Sequence, residues 1–480
     1  MVKKRLRPGR PAGLTKQPWW KQQGRKPKER QELPIGANTI AEDDGSDSES
    51  EDDVLEDGEE VLSYTIQVSR KEAMSGPDSV RWLEADNAER LQLEALQCWR
   101  PLRQDELQPG DEIIPGVVIY TRKRCGKLKC RMVALGNLQR CSAPAEIFSP
   151  TVSHASTRAL LVRAASMGHP IGQFDISNAF IRSSLRDEDR IFLRLPRHWS
   201  KDSRGDVVRL LRSLYGLRCA PRRWYDTYSS FLLKTGWERC PEDPGLFRRG
   251  EVFIACYVDD TFVSAPTQDL VDSTMEEILN EFDGKIIEAV DGVRDVLGVR
   301  LTHDKDKKYM KLDLQEAIVK LAKQFNVSPD RKIGTPCVYS DLSEGQVVEY
   351  PIRSMVGGLQ YIATTARPDV LYAVNRVSRH MTKCTSAVVT AAKRIVRYLL
   401  HTQTTGIEYS VEREKAFRET YQKVLQEHGK GVNLGDCVAF SDADFAGCSV
   451  TFKSHSKSIL CHKGCPVLWS SRRHSCEKYL

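Results

Sequence analysis

The sequence predicts an α+β fold, and three observations carry that expectation. Two apolar, β-favouring stretches, Val252 to Tyr257 and Phe262 to Ala265, meet at Tyr257-Val258-Asp259-Asp260 and read as a β-hairpin with acids at its tip. Upstream, the run Gly172-Gln173-Phe174-Asp175-Ile176 changes to helix-compatible residues through Phe180, which reads as a strand leading into a helix. Downstream, Leu314, Ile318, Leu321 and Phe325 recur at helical spacing, as do Val388, Ala392, Ile395 and Leu399. The 480 residues allow roughly two to four domains with large cores.

In chain order, residues 1–65 are expected to be a disordered tail, first basic and then acidic. Lys3, Lys4, Arg5, Arg7 and Arg10 open a basic stretch to Arg30, and residues 42–60 are mostly Asp, Glu, Ser and Gly. Neither part has the apolar surface to offset the entropy of ordering. Lys3-Lys4-Arg5 fits a nuclear-import signal and Arg7-Pro8-Gly9-Arg10-Pro11 a minor-groove arm; a solvated charged tail with no receptor fits the same residues. Folded sequence is expected from Val80. Trp82 to Trp99 has helical composition, and Val117 to Tyr120 and Cys130 to Ala134 read as strands around a Gly126 turn. Tyr215-Gly216-Leu217 reads as a turn before an amphipathic helix, and Val296 to Leu301 as a strand pair.

The net charge of +7 survives an acidic block near the N-terminus, so the remainder is distinctly basic and suits a polyanionic partner. No apolar run approaches a membrane span and the N-terminus is too charged for a secretory signal, which predicts an intracellular protein without a membrane partner. The fourteen cysteines are scattered rather than framed and are expected to stay reduced. Cys125, Cys130, Cys141 and His154 have a spacing that fits no standard zinc pattern and read as ordinary residues.

Adjacent acids at a hairpin tip repel each other unless they are solvated or bridged by a cation. A solvated turn fits the four residues alone; Asp175 as a third carboxylate favours the cation. Phosphoryl transfer to a growing nucleic-acid strand uses two divalent ions about 4 Å apart, one on the primer 3′-hydroxyl and one on the triphosphate. Mg2+ suits the task because it prefers oxygen ligands and is held by few carboxylates plus substrate phosphates, with Mn2+ as a substitute. Asp175, Asp259 and Asp260 are therefore the candidate catalytic and metal-binding residues.

Several motifs in order carry a family resemblance. Phe174-Asp175 through Phe180, Leu214-Tyr215-Gly216-Leu217, Ala220-Pro221-Arg222-Arg223-Trp224-Tyr225 and Tyr257-Val258-Asp259-Asp260 resemble the polymerase core of copia-type retrotransposon reverse transcriptases. Ser354 to Tyr361, Thr365-Ala366-Arg367-Pro368-Asp369-Val370 and Ala392 to Leu399 resemble the segments that follow, and Ser441-Asp442-Ala443-Asp444 the start of the family's ribonuclease H. The resemblance spans roughly residues 80–476 and implies a right-hand polymerase. Fingers, palm and thumb would occupy 66–340, a connection region 341–430 and a truncated ribonuclease H-like α/β segment 431–480.

The resemblance also implies roles and partners. The partners would be an RNA template, a DNA primer/template and dNTPs, with two Mg2+ ions as cofactor, in a cytoplasmic particle or the nucleus. Lys129 and Arg131 would face the triphosphate, although both also fit exposed strand positions on a basic protein. Phe180 would lie under the incoming sugar and exclude a 2′-hydroxyl. Cys219 occupies a position where family members usually carry Gln to contact the nucleotide and template region, and a thiol cannot reproduce that donor and acceptor pair. Ribonuclease H activity is expected to be absent, because Asp442 lacks its helix-borne Glu partner and Glu477 falls about six residues early in the family pattern. The segment is then expected to be poorly packed or to need a partner. No Asp-Thr-Gly or Asp-Ser-Gly triplet and no integrase-like His/Cys cluster occurs. Two other classes fit part of the pattern: a decayed or domesticated retroelement protein that binds nucleic acid without catalysis, and an RNA-dependent RNA polymerase, which Phe180 disfavours.

Overall fold

A computed structural model describes residues 65–103, 105–123, 126–139, 147–200, 205–296, 298–330, 332–337, 341–429, 433–445 and 453–474. The basic and acidic tail with its import-signal and minor-groove motifs, together with Cys125, Cys141 and Glu477, lies outside the described residues. Contacts divide the chain after Glu59, and all that follows concerns the unit from Glu60 onward.

The described chain is mixed α and β with four sheets. In the first, the eleven-residue strand Ile113–Lys123 pairs antiparallel with Leu128–Ala134 along one edge. On its other edge it pairs with Thr65–Val68 and, in parallel, with Phe192–Arg194, beyond which Val207–Leu210 and Trp99–Pro101 follow. The expected helix from Trp82 to Trp99 is instead Ser79–Ala95. Gln97 takes a left-handed backbone (φ 52°), which ends the helical path, and Trp99 then pairs with Leu210 in a strand. Composition alone does not show that break.

The second sheet runs Gly284–Ile286, Ile171–Ile176, Asp260–Ser264, Val252–Tyr257, Leu246–Arg249 and Glu238–Arg239, each antiparallel to its neighbours. Helices Ala220–Lys234 and Gln268–Phe282 pack their apolar stripes against it, with Trp224, Tyr228, Phe247, Ile254 and Phe282 in one buried cluster. The turn before Ala220–Lys234 requires glycine. Gly216 has φ 86°, and a Cβ there would stand 2.1 Å from the Ala134 carbonyl oxygen; the backbone approaches so closely because Ala134 N–H donates to Tyr215 O at 2.8 Å.

The third sheet is the meander Val293–Val296, Val299–Asp304 and Tyr309–Asp313, completed by Ile407–Tyr409 from far along the chain. Five helices contribute to the largest core beside it: His154–Met167, Gln315–Gln324, Ile352–Thr365, Leu371–Ser378 and Ser386–His401. The two periodic stripes read from the sequence are the buried ones. Leu314, Ile318, Leu321 and Phe325 are buried, as are Val388, Ala392, Ile395 and Leu399, while Thr385 caps the latter helix through Val388 N–H. Ile407–Tyr409 closes a sheet begun at Val293, so residues on both sides of position 340 contribute to one core.

The fourth sheet, Cys437–Ala443, His455–His462 and Cys465–Arg473, is unevenly covered. No residue of Cys437–Ala443 is buried. The expectation of poor packing does not extend to the other two strands: Cys465 and Val467 enter the largest core, Trp469 Nε1 donates to Ala363 O at 2.9 Å, and the Arg158 guanidinium lies 4.0 Å from the Trp469 ring centre. The indole N–H thus anchors that hairpin to helix Ile352–Thr365, and the cation over its ring anchors it to helix His154–Met167. No disulfide links the described cysteines, and among the described residues no helix is long and apolar enough to cross a membrane.

Candidate functional site

Register brings the three acids together. Tyr257 pairs with Asp260 across the hairpin, so its loop is only Val258-Asp259, and Asp260 and Thr261 belong to the strand rather than to the turn expected from their polarity. On the other side of that strand Asp260 pairs with Asp175, and Ile176 N–H donates to Asp259 O at 3.0 Å. All three carboxylates thus stand at one end of the second sheet. The loop has positive φ at its first residue, Val258 (62°), and not at its second, the pattern of a type II′ turn that normally takes glycine. For a β-branched residue this conformation costs of order 1–3 kcal/mol. Trp224 Nε1 donates to Val258 O at 2.8 Å and holds the turn from the helix behind it.

The electrostatics of the site suit a missing positive charge. Loss of hydration pushes the Asp260 carboxyl above the usual range, and the Asp259 and Asp175 carboxylates push it further, against the hydrogen bond from Gln173. Partial loss of hydration likewise raises Asp259 and the Asp175 carboxylate adds to it, against a backbone hydrogen bond and the Arg131 and Lys129 charges. Lys285, opposite Asp175 in the neighbouring strand, brings Nζ to 3.4 Å from Asp175 Oδ2. An exposed ammonium thus already pairs with one of the three acids. The donors are hard carboxylate oxygens, which fit Mg2+ or Mn2+, although among the described residues no three acid, His or Cys side chains are already gathered into ligand geometry.

These shifts have a stability consequence. A carboxyl whose folded-state pKa lies above its unfolded value takes up a proton more readily in the fold, so stability rises as pH falls through that window and the ionised form costs stability at neutral pH. Asp260→Asn, which can still accept from Gln173, is expected to raise the unfolding temperature at pH 7 in the presence of a chelator. The gain should shrink as pH is lowered toward 3.8, the ordinary aspartate value. An unchanged or lower unfolding temperature at pH 7 would contradict the electrostatic reading.

The other expected residues divide. Lys129 and Arg131 lie two apart on the open face of Leu128–Ala134, and the Arg131 guanidinium is 5.1 Å from the Tyr215 ring centre. Tyr215 in turn meets Phe180 edge-on at 5.4 Å. Phe180 lies on the short helix Ala179–Arg182, half-buried between two apolar clusters. Cys219 does not join them. The residue is 6% exposed and packs with Leu214, Leu217 and Ala220. A thiol behaves as a small apolar group there, and the N-cap position it occupies gives no side-chain cap. Sequence reasoning missed Gln173, Trp224 and Lys285. A polar Gln two residues before Asp175 in an apolar strand was a usable signal for the first, since strand alternation puts both on one face.

With this geometry the chain belongs to the reverse transcriptase (RNA-dependent DNA polymerase) family, whose profile matches residues 106–387. Its relatives are polyproteins of copia-type transposons. It is 31% identical to the Retrovirus-related Pol polyprotein from transposon RE1 of Arabidopsis thaliana, over 74% of this chain and 23% of that protein. It is 25% identical to the Retrovirus-related Pol polyprotein from transposon TNT 1-94 of Nicotiana tabacum, over 85% of this chain and 30% of the relative. The Transposon Ty1-NL1 Gag-Pol polyprotein of Saccharomyces cerevisiae is 26% identical over 72% of this chain and 20% of its own length. The chain thus spans less than a third of the curated relatives it matches.

Proposed function

We propose that the chain is an RNA- and DNA-templated DNA polymerase that joins a dNTP to a primer 3′-hydroxyl. The observation that carries this reading is the register pairing Asp175 with Asp260 beside the Val258-Asp259 turn. Asp175 and Asp259 are the principal metal ligands and Asp260 the supporting one. When bound, two Mg2+ ions would activate the hydroxyl and offset triphosphate charge. The chain's own residues position and screen. Arg131, steadied by the Tyr215 ring, and Lys129 offset charge moving onto the leaving pyrophosphate. Phe180, braced edge-on by Tyr215, closes the space a 2′-hydroxyl would need. No side chain acts as nucleophile.

On this reading the Ile113–Ala134 hairpin belongs to the fingers, the sheet of Ile171–Ile176 and Val252–Ser264 to the palm, and Gln315–Gln324 to the thumb. Residues 341–430 form the connection and 431–480 a ribonuclease H-like segment. Asp442 sits on a strand with no buried residue, and incubating the protein with a labelled RNA–DNA hybrid and Mg2+ tests the expectation that this polypeptide leaves the RNA uncut.

Primer extension by the purified protein on RNA and DNA templates, with dNTPs and Mg2+, tests the proposal. No extension on either template would overturn it. Phe180→Ala is expected to raise incorporation of ribonucleotides relative to deoxyribonucleotides by about tenfold or more, the scale of one relieved contact of 1–3 kcal/mol. An unchanged ratio in a folded variant would return Phe180 to packing alone.

A further inference from the structure

Gln173 is 1% exposed, an unusual burial for an amide in the middle of a sheet. It faces Phe262 across the strand pair, which puts Asp260 on the diagonal and within reach of a long side chain. Its Nε2 donates to Asp260 Oδ1 at 3.2 Å and to Asp295 O at 3.0 Å, so both amide hydrogens are used. The orientation is dictated by these partners. Both are acceptors, and turning the amide over would set its oxygen against a carboxylate and a carbonyl. The consequence is that Gln173 Oε1 is buried with no hydrogen-bond partner among the described residues. An orphaned buried oxygen costs stability, so it persists only where the opposite end of the amide supplies more.

What the amide supplies is placement. Asp260 Oδ1 is engaged by Gln173, while the described residues offer no hydrogen bond to Oδ2. The second bond ends on the hairpin Val293–Val296 and Val299–Asp304, which Arg294 also fastens to the acid-bearing strand by donating to Ile171 O at 2.9 Å, and to the end of its neighbour Gly284–Ile286 by donating to Ile287 O at 2.7 Å. Gln173 therefore joins the acid cluster to that hairpin through one rigid planar group.

We propose that Gln173 is the positioning residue of the metal site: it holds one oxygen of Asp260 and leaves the other directed to a divalent cation, in register with the hairpin carrying Asp295. This rests on the reading of the acids as cation ligands and adds a residue to that site. Gln173→Met keeps length and apolar volume and removes the amide.

The test is Mn2+ binding to the protein on a primer-template with a dideoxy-terminated primer, followed by electron paramagnetic resonance, beside the Mg2+ concentration that half-saturates primer extension. Gln173→Met should weaken Mn2+ binding and raise the half-saturating Mg2+ by the same factor, about tenfold or more, the scale of one hydrogen bond to a charged group, with the dNTP KM within twofold of the parent. In an Asp260→Asn background the same substitution should change neither. Should Gln173→Met not fold, Gln173→Asn keeps an amide that is one methylene too short to reach both acceptors and carries the same expectation. Parental metal dependence in the folded variant, or an equal loss in the Asp260→Asn background, would overturn the role of Gln173 while leaving the polymerase reading intact. Wild-type protein whose Mn2+ binding is indifferent to Asp259→Asn would instead overturn the metal-site reading, and this inference with it.

Discussion

Replacing Asp259 by Asn is expected to slow primer extension by on the order of a thousandfold, about 4 kcal/mol of transition-state stabilisation. The substitution keeps the size of the side chain and the backbone of the two-residue turn, so Ile176 N–H can still donate to the carbonyl of residue 259 and Trp224 to Val258 O. Only the charge is lost. That charge is maintained in the fold against loss of hydration and the Asp175 carboxylate, with Arg131 and Lys129 as the opposing influence. On the proposed reading a bound cation would offset that disadvantage. Primer-template binding should survive, because it depends on basic surface elsewhere. Steady-state extension beside a binding titration separates the two, and a variant as fast as wild type would remove Asp259 from the site.

Arg367→Met is expected to destabilise the fold by about 1.5–3 kcal/mol, the scale of losing hydrogen bonds to a charged group, since Asp369 is partly exposed and would be solvated. Arg367 has no exposed surface, and four of the five N–H groups of its guanidinium are hydrogen-bonded. Nε and Nη2 form a two-pronged pair with Asp369 at 2.9 and 2.7 Å, Nη1 donates to Thr402 O at 2.9 Å, and Nη2 to Thr402 Oγ1 at 2.7 Å. Tyr398 adds a hydrogen bond to Asp369 Oδ2 at 3.0 Å. The bracket ties the end of Ile352–Thr365 to the end of Ser386–His401. Arg367→Lys should recover little of the loss, because an ammonium cannot reproduce the planar fork. Denaturant unfolding of the three proteins measures this, and a Lys variant as stable as wild type would show that charge alone suffices.

Much was legible in the residues themselves. The buried stripes Leu314, Ile318, Leu321, Phe325 and Val388, Ala392, Ile395, Leu399 follow from helical period and apolarity, which are local properties. The three acids could be named from their strand contexts, because a carboxylate amid β-favouring residues is anomalous wherever it later lies. The Ala366-Arg367-Pro368-Asp369 motif could be recognised as a family feature, but its work as a bracket could not be read, since Thr402 lies 35 positions away.

Tertiary structure alone decided what depends on pairing between distant segments. Nothing in Trp82 to Trp99 announces that Gln97 turns left-handed and hands Trp99 to a strand; that follows from the partner strand Val207–Leu210. Polarity extended the hairpin turn over Asp260 and Thr261, whereas register gave both to the strand. Cys219 stands at a position that resemblance assigned to the nucleotide, and its neighbours Leu214 and Leu217 took the thiol into the core. The bond from Gln173 to Asp260 spans 87 positions and that to Asp295 spans 122. Composition and period act over a few residues, whereas a hydrogen bond between strands is set by which segments the whole core brings side by side.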